Sequence, residues 1–369
     1  MKLTNRKADV QIMLGFKKGH PIRNLIKILL VLLLIVGGYV VYVFISYHRV
    51  PDNQQLEVKG NSDLNIKTDE TYKILSFNTG FGAYEPDFSF FMDGGERSWA
   101  WSKERLKTNV NNIVNFIEAQ KADILLLQEV DVNATRTYHV NQKQIYEDKF
   151  ADMDSSFAEN WDSPFLFYPV TQPHGKTLAG IITFSRFDIS SSVRRSVPVE
   201  DTVMKIVDLD RCYSKSYIST EDGRTLVVYN LHLSAYTSDG TIADQQVDML
   251  LDDMNEEYDK GSYVIAGGDF NKDLLGDSSK YFGVSGEDYS WAKPIKTESF
   301  EGRPFELVAA SNVPSNRNAD APYNPQQFVN TLDGFIVSDN VEIVSNTTVD
   351  TQFAYSDHNP VEMEFRLKP

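Results

Sequence analysis

Cysteine is almost missing: Cys212 is the only one in 369 residues, so no intrachain disulfide can form and the core must hold the fold. For a domain outside the cell, that points to a bacterial rather than a eukaryotic surface. Basic side chains are scarce beyond the N-terminus. The first 49 residues carry eight basic residues against Asp9 alone, a net of +7, which leaves 28 basic and 51 acidic residues, a net of −23, for the rest. So large an acidic excess argues against a surface that tracks nucleic-acid phosphates non-specifically, although a local basic cleft can survive it. Internal repeats and low-complexity tracts are also lacking, which excludes solenoids and arrays.

What the N-terminus does have is one long apolar run. Ile28 to Ile45 contains no charge, and with Leu25, Ile26 and the Ser46-Tyr47 flank it reaches the ~20 residues that cross a ~30 Å hydrocarbon core as a helix. The basic flank precedes the run, so the positive-inside rule leaves residues 1–24 in the cytoplasm and everything after about Tyr47 outside. A cleaved signal peptide is the competing reading. Its apolar core is usually shorter and ends in small residues, whereas this one ends in Phe44, Tyr47, His48 and Arg49. The expected organisation is a basic tail (1–24), a signal anchor (25–47), a polar linker (48–71) and one catalytic domain (72–369).

In that domain, strand-like segments are Tyr72–Asn78, Ile124–Gln128, Leu178–Phe184, Thr202–Asp208, Thr225–Leu233, Tyr263–Ala266, Leu332–Val337 and Val361–Phe365. Helical spacing marks Lys103–Gln120, through Leu106, Val110, Ile113, Val114 and Ile117. It also marks Ile242–Asp259, through Val247, Leu250, Leu251 and Met254. Many strands and few helices predict an α/β fold of two sheets packed face to face with helices on the outside. The connection from Phe81 to Trp101 holds seven aromatic residues, which either pack under their own loop or reach a base or a lipid interface.

Apolar runs repeatedly end in residues suited to metal binding or proton transfer: Asn78, Glu129, Asn230 with His232, Asp269 with Asn271, Asp333, and Asp357-His358. A hard ion such as Mg²⁺ takes oxygen ligands, often one or two carboxylates plus a substrate phosphate, and Glu129 and Asp357 fit that need. Amides such as Asn78 and Asn271 can hold an anionic centre. His358 needs a carboxylate to fix its tautomer, and Asp333 is the candidate. Each residue alone also has a structural reading: Asn78 as a strand terminator, His232 as a core histidine, Asp333 as part of an Asp-Gly turn. Arg136, His139, Asn141, Lys176, Arg317 and Asn318 suit either a phosphate contact or a solvated loop.

Leu-Gln-Glu, Asn-Leu-His-Leu, Gly-Gly-Asp-Phe-Asn and Ser-Asp-His-Asn-Pro, in that order over about Tyr72 to Phe365, resemble the endonuclease/exonuclease/phosphatase family. That family includes deoxyribonuclease I and bacterial sphingomyelinases. The resemblance implies a four-layer α/β sandwich and hydrolysis of phosphate esters with Mg²⁺ or Mn²⁺. It implies Asn78, Glu129 and Asp357 at the metal, Asp269 on the attacking water, Asn271 on the phosphate, His358 with Asp333 as base or transition-state stabiliser, and His232 on the phosphate or leaving group. One departure is Phe328-Val329-Asn330-Thr331-Leu332 before Asp333, which lacks the basic residue some nucleases carry there. Nucleic acid, a lipid headgroup and a small phosphorylated molecule all remain open as substrates, and nothing calls for an obligate protein partner. A catalytically inactive surface binding module would show loss of a metal carboxylate or of the final Asp-His, and neither is lost.

Overall fold

The computed structural model describes residues 20–201, 205, 209–235, 240–284 and 292–369. The chain divides after His48 into two units. In the first, helix α1 (Pro21–Ser46) is long and apolar enough to cross a membrane, and none of its residues is buried in protein. It starts four residues before the expected anchor because Pro21 sits in the first turn, where its missing N–H and fixed φ suit a helix start.

The second unit opens with β1 (Gln54–Gln55), β2 (Val58–Lys59), β3 (Tyr72–Asn78), α2 (Lys103–Gln120) and β4 (Ile124–Ala134). Helix α3 (Gln142–Lys149), β5 (Asp154–Asp162), β6 (Thr177–Ser185), β7 (Ile189–Ser196), β8 (Cys212–Ser219) and β9 (Thr225–His232) follow. Then come α4 (Thr241–Asp259), β10 (Tyr263–Asp269), β11 (Phe305–Val308), β12 (Asn316–Arg317) and β13 (Val329–Asn330). The last strands are β14 (Asp333–Ser338), β15 (Val341–Thr348) and β16 (Val361–Leu367). Two seven-stranded mixed sheets result, in the orders β1-β7-β8-β9-β10-β14-β11 and β15-β16-β3-β4-β6-β5-β2.

The strand pattern explains the layering. In β3 and β4, Ile74, Ile124 and Leu126 point to the core between the sheets, against Val228, Ile265, Phe335 and Met363. Leu75, Phe77, Leu125 and Leu127 point the other way, under Leu106, Val110, Ile113 and Ile117 of α2. With both faces covered, the strands read as continuous apolar runs rather than alternating ones. Helix α4 covers the outer face of the other sheet through Val247, Leu250, Leu251 and Met254. Each such side chain contributes roughly 1.5–3 kcal/mol on burial. Ser102 caps α2, its Oγ accepting from Arg105 N at 3.1 Å. The four layers are those expected from the sequence.

One expectation differs. The segment taken as a linker, 48–71, is built into the domain from Arg49 onward: β1 pairs with β7, β2 pairs with β5, Ile66 is fully buried, and Thr68 bridges to Leu367. Its polar composition hid two very short edge strands, where one face meets water. The expected strand at 202–208 lies, but for Lys205, outside the described residues. The aromatic connection packs on itself, with Phe81, Tyr84, Phe88 and Phe90 buried in the core under α2.

Candidate active site

Strand register sets where the chemistry lies. Asn78 pairs with Gln128, next to Glu129, at one end of its sheet. Asp269 aligns with His232 on one side and Asp333 on the other, at one end of the second sheet. The side chains of Asn78 and Asp269 then meet: Asn78 Nδ2 donates to Asp269 Oδ2 at 3.0 Å and to Glu129 Oε1 at 3.2 Å. The two sheet ends therefore form one site. Deeper in, Gln128 Nε2 donates to Asn230 Oδ1 at 2.8 Å, so Asn230 ties the sheets together beneath that site.

Backbone geometry shapes the turns that carry these residues. Gly268 has φ +149°, and a Cβ there would lie 2.1 Å from the Leu231 carbonyl oxygen, so only glycine lets β10 approach β9 before Asp269. Gly80 has φ +53°, and its Cβ would fall 3.1 Å from Asp357 Oδ1 and 2.8 Å from Ser356 Oγ. Glu129 and Asn271 take positive φ, 56° and 51°, although they carry side chains. Such backbone strain is retained where a site needs it.

At the centre, His358 Nδ1 lies 2.7 Å from Asp333 Oδ2, and its Nε2 lies 3.7 Å from Asp269 Oδ2. Burial opposes charge on this imidazole, but Asp333, Asp269 and Asp357 overcome it and hold His358 protonated well above its ordinary range. Both ring nitrogens then donate. Asn316 Nδ2 lies 3.0 Å from Nε2 while the Asn316 side-chain oxygen has no partner, so with the amide turned over that oxygen would accept from the imidazolium. Ser315 Oγ donates to Asp333 Oδ2 at 2.7 Å and accepts from the Leu332 and Asp333 N–H groups. Neither Asn316 nor Ser315 was found from sequence, because both lie on a loop whose bridge to His358 has no local signal.

His232 has the opposite state. Burial and the charges of Arg211, His358 and Arg136 push its pKa well below the ordinary value, so it is neutral, with Nε2 3.5 Å from Asp269 Oδ2. Asp269 is pushed up to about 7, by burial first and by Asp333 in addition, against the pull of His358. Asn271 N donates to Asp269 Oδ1 at 2.9 Å, while Asn271 Nδ2 is committed to the Leu233 carbonyl at 2.8 Å.

Glu129 and Asp357 are both pushed above the ordinary carboxylate range, chiefly by burial, and Glu129 also by the charge of Asp357. Arg136 and Arg317 moderate these charges from a distance. Arg136 forks onto Asp131 at 2.8 and 3.0 Å, and Arg317 donates to the Tyr84, Glu85 and Asn318 carbonyls. Two half-buried carboxylates that repel each other, with no ion pair to a basic side chain among the described residues, fit a divalent cation. Asp269, Asp333 and His358 also have donor atoms close enough for an ion, but the 2.7 Å contact reads as a hydrogen-bonded pair. The oxygen of Asn78 accepts from Gly80 N at 3.0 Å, so here it is the amide nitrogen that faces the acids.

The remaining ambiguous residues are structural or peripheral. Asn141 caps α3 by accepting from Gln144 N, His139 bonds Asn133, and Lys176 pairs with Asp162 at the surface. Of the set, Arg136 and Arg317 touch the site's electrostatics.

Two seven-stranded sheets under helices, with acids, amides and imidazoles at their shared end, define the class of α/β sandwiches that act on phosphate esters. The chain belongs to the endonuclease/exonuclease/phosphatase family, whose sequence model matches residues 75–358. No curated protein matches it in a sequence search. Among solved structures, an endonuclease/exonuclease/phosphatase from Beutenbergia cavernae DSM 12333 is similar with TM-score 0.56 and 16% identity, over 81% of this chain and 72% of that one. ANGEL2, described as a 2′,3′-cyclic phosphatase, is similar with TM-score 0.54 and 16% identity, over 86% and 99%. At these identities the likeness speaks for the fold alone.

Proposed function

We propose that this chain is a bacterial phosphoesterase anchored by α1, with its catalytic domain outside the cell, and that it hydrolyses a phosphodiester or phosphomonoester with Mg²⁺ or Mn²⁺. The observation that carries the reading is the imidazolium of His358, locked to Asp333 and facing Asp269 on the neighbouring strand. Asp269, pushed up to about 7, is suited to take a proton from an attacking water. His358, held protonated, stabilises charge gathering on the phosphoryl oxygens, and this favours the stabiliser over the base among its expected roles. Neutral His232 offers its Nε2 beside Asp269, and Asn78 and Asn271 orient the Asp269 carboxylate. Glu129 and Asp357 would hold the ion, which would supply Lewis acidity to the phosphate.

The test is hydrolysis by the full chain in detergent, with Mg²⁺ or Mn²⁺, over DNA, RNA, sphingomyelin, inositol phosphates and bis(p-nitrophenyl) phosphate. One of these should turn over, and Glu129→Gln and His358→Ala should each abolish that turnover without unfolding the domain. Activity surviving in both variants sinks the site.

A further inference from the structure

The chain enters its folded domain at the catalytic end. Arg49 Nε pairs with Asp210 at 2.9 Å, Arg194 Nη1 donates to the Val50 and Pro51 carbonyls, and Ser196 N donates to Asp52 Oδ1 at 2.8 Å. Register carries that position across the sheet: Ser196 aligns with Cys212, Cys212 with His232, and His232 with Asp269. From there β1 and β2 run away from the site, and Ile66 bridges to Thr220 in the β8–β9 turn at the far end. Only Tyr47 and His48 separate Ser46, the last residue of α1, from Arg49.

The same end carries an apolar tip. The segment joining β5 to β6 leaves beside the end of β4, where Ala134 aligns with Thr177. Leu166 and Gly175 exchange two backbone hydrogen bonds of 3.0 Å, His174 N donates to the Tyr168 carbonyl, and Trp99 Nε1 donates to the Pro173 carbonyl at 2.7 Å. This fixed loop presents Phe167, Tyr168 and Val170 at 56%, 70% and 84% exposure. Met92, 52% exposed, adjoins them through Phe91, whose ring lies 5.7 Å from that of Tyr168. Isolated exposed apolar residues are ordinary, but a rigid cluster of four on one tip marks an interaction surface.

We propose that this tip, Met92 with Phe167, Tyr168 and Val170, seats in the interface of the lipid bilayer that anchors the chain, so that the catalytic end of the sheets faces the membrane. Tyr168 suits the headgroup level, where amphipathic rings concentrate, while Phe167, Val170 and Met92 suit the acyl boundary. The domain's acidity gives anionic lipid nothing to attract, so the seating is apolar and insensitive to salt. The inference rests on α1 as an anchor and is independent of the catalytic roles assigned above.

The only native cysteine, Cys212, is buried, and replacing it by Ser leaves a chain in which one introduced cysteine can be labelled. Full-length Cys212→Ser protein carrying Tyr168→Cys, or separately Val170→Cys, is labelled with an environment-sensitive fluorophore and reconstituted into phosphatidylcholine vesicles containing nitroxide lipids. Glu221→Cys, in the turn at the far end, is the control. Labels at 168 and 170 should shift to the blue and lose most of their emission to the nitroxides, and the label at 221 should do neither. A tip label that behaves as the one at 221, or quenching at all three positions, overturns the proposal. Retention of the chain in the vesicles through an alkaline wash reports anchoring separately, and hydrolysis of a soluble phosphodiester in the same vesicles reports the catalytic site separately.

Discussion

Replacing Asp333 by Asn removes the charge that keeps His358 protonated while preserving shape. The two side chains meet at 2.7 Å. At an effective dielectric near 20, a pair ~4 Å apart between charge centres interacts by about 4 kcal/mol. Losing that interaction lowers the pKa of His358, and burial then pushes the lone imidazole further toward its neutral form. His358 should therefore give up its proton at a lower pH than in the wild type, and kcat near neutrality should fall by about 10²–10⁴-fold, the usual size of a lost acid–base or charge-stabilising group. The folded-state pKa of His358 lies above its unfolded value, so the pair's stabilisation is complete below about 6.5 and is lost as pH rises through the folded value. The stability gap between wild type and variant should accordingly be widest in acid and close on the alkaline side. The assays are kcat against pH on bis(p-nitrophenyl) phosphate, thermal unfolding against pH, and the ring-proton titration of His358 by NMR. A kcat within threefold of wild type, or an unchanged imidazole titration, refutes the reasoning.

Mg²⁺ should raise Tm, by a margin equivalent to about 2.7 kcal/mol at a hundred times Kd, and Glu129→Gln should abolish that rise. The rise should be larger at pH 8 than at pH 5, because protons compete for Glu129 and Asp357, whose pKa values are raised. His174, stacked on Trp161, is pushed down to about 3 by burial and by Arg136. The unfolded chain takes up that proton below about 6.5 while the fold excludes it, so stability should drop by a few kcal/mol between pH 6.5 and 3. His174→Gln should flatten that slope in a pH series of urea melts, and an unchanged slope assigns the acid lability elsewhere. Gly267→Ala should destabilise the domain by about 1–3 kcal/mol, since a Cβ there meets Phe335 at 2.6 Å and Leu126 at 2.9 Å between the sheets. Equal urea midpoints for variant and wild type would contradict that packing.

The sequence made some of this visible and hid the rest for physical reasons. β3 and α2 occupy the expected residues, because an apolar run covered on both faces and a capped amphipathic helix are local signals. β5, β7 and β8 went unseen because their buried positions are polar: Ser156, Ser192, Ser214 and Ser216 are buried, and Arg194 is wholly buried with its guanidinium bonded to backbone carbonyls. Asp269, Asp333 and Asp357-His358 stood out as acids or imidazoles closing apolar runs. Asn316 and Ser315 sit on β12 and the residue before it, and acquire a role only when the loop 309–328 folds back across His358. The exposed tip at 167–170 likewise reads as ordinary strand-flanking sequence until its burial is known.

The lacing of residues 49–68 along both sheet edges bears on how the domain can be detached intact. A protease cutting at 60–71 would leave β1 and β2 on the wrong fragment, and their loss would bare the long edges of β7 and β5 to pairing with other chains. Shedding with the fold whole requires a cut at Tyr47 or His48, and a recombinant soluble form should begin at Arg49 rather than at Tyr72.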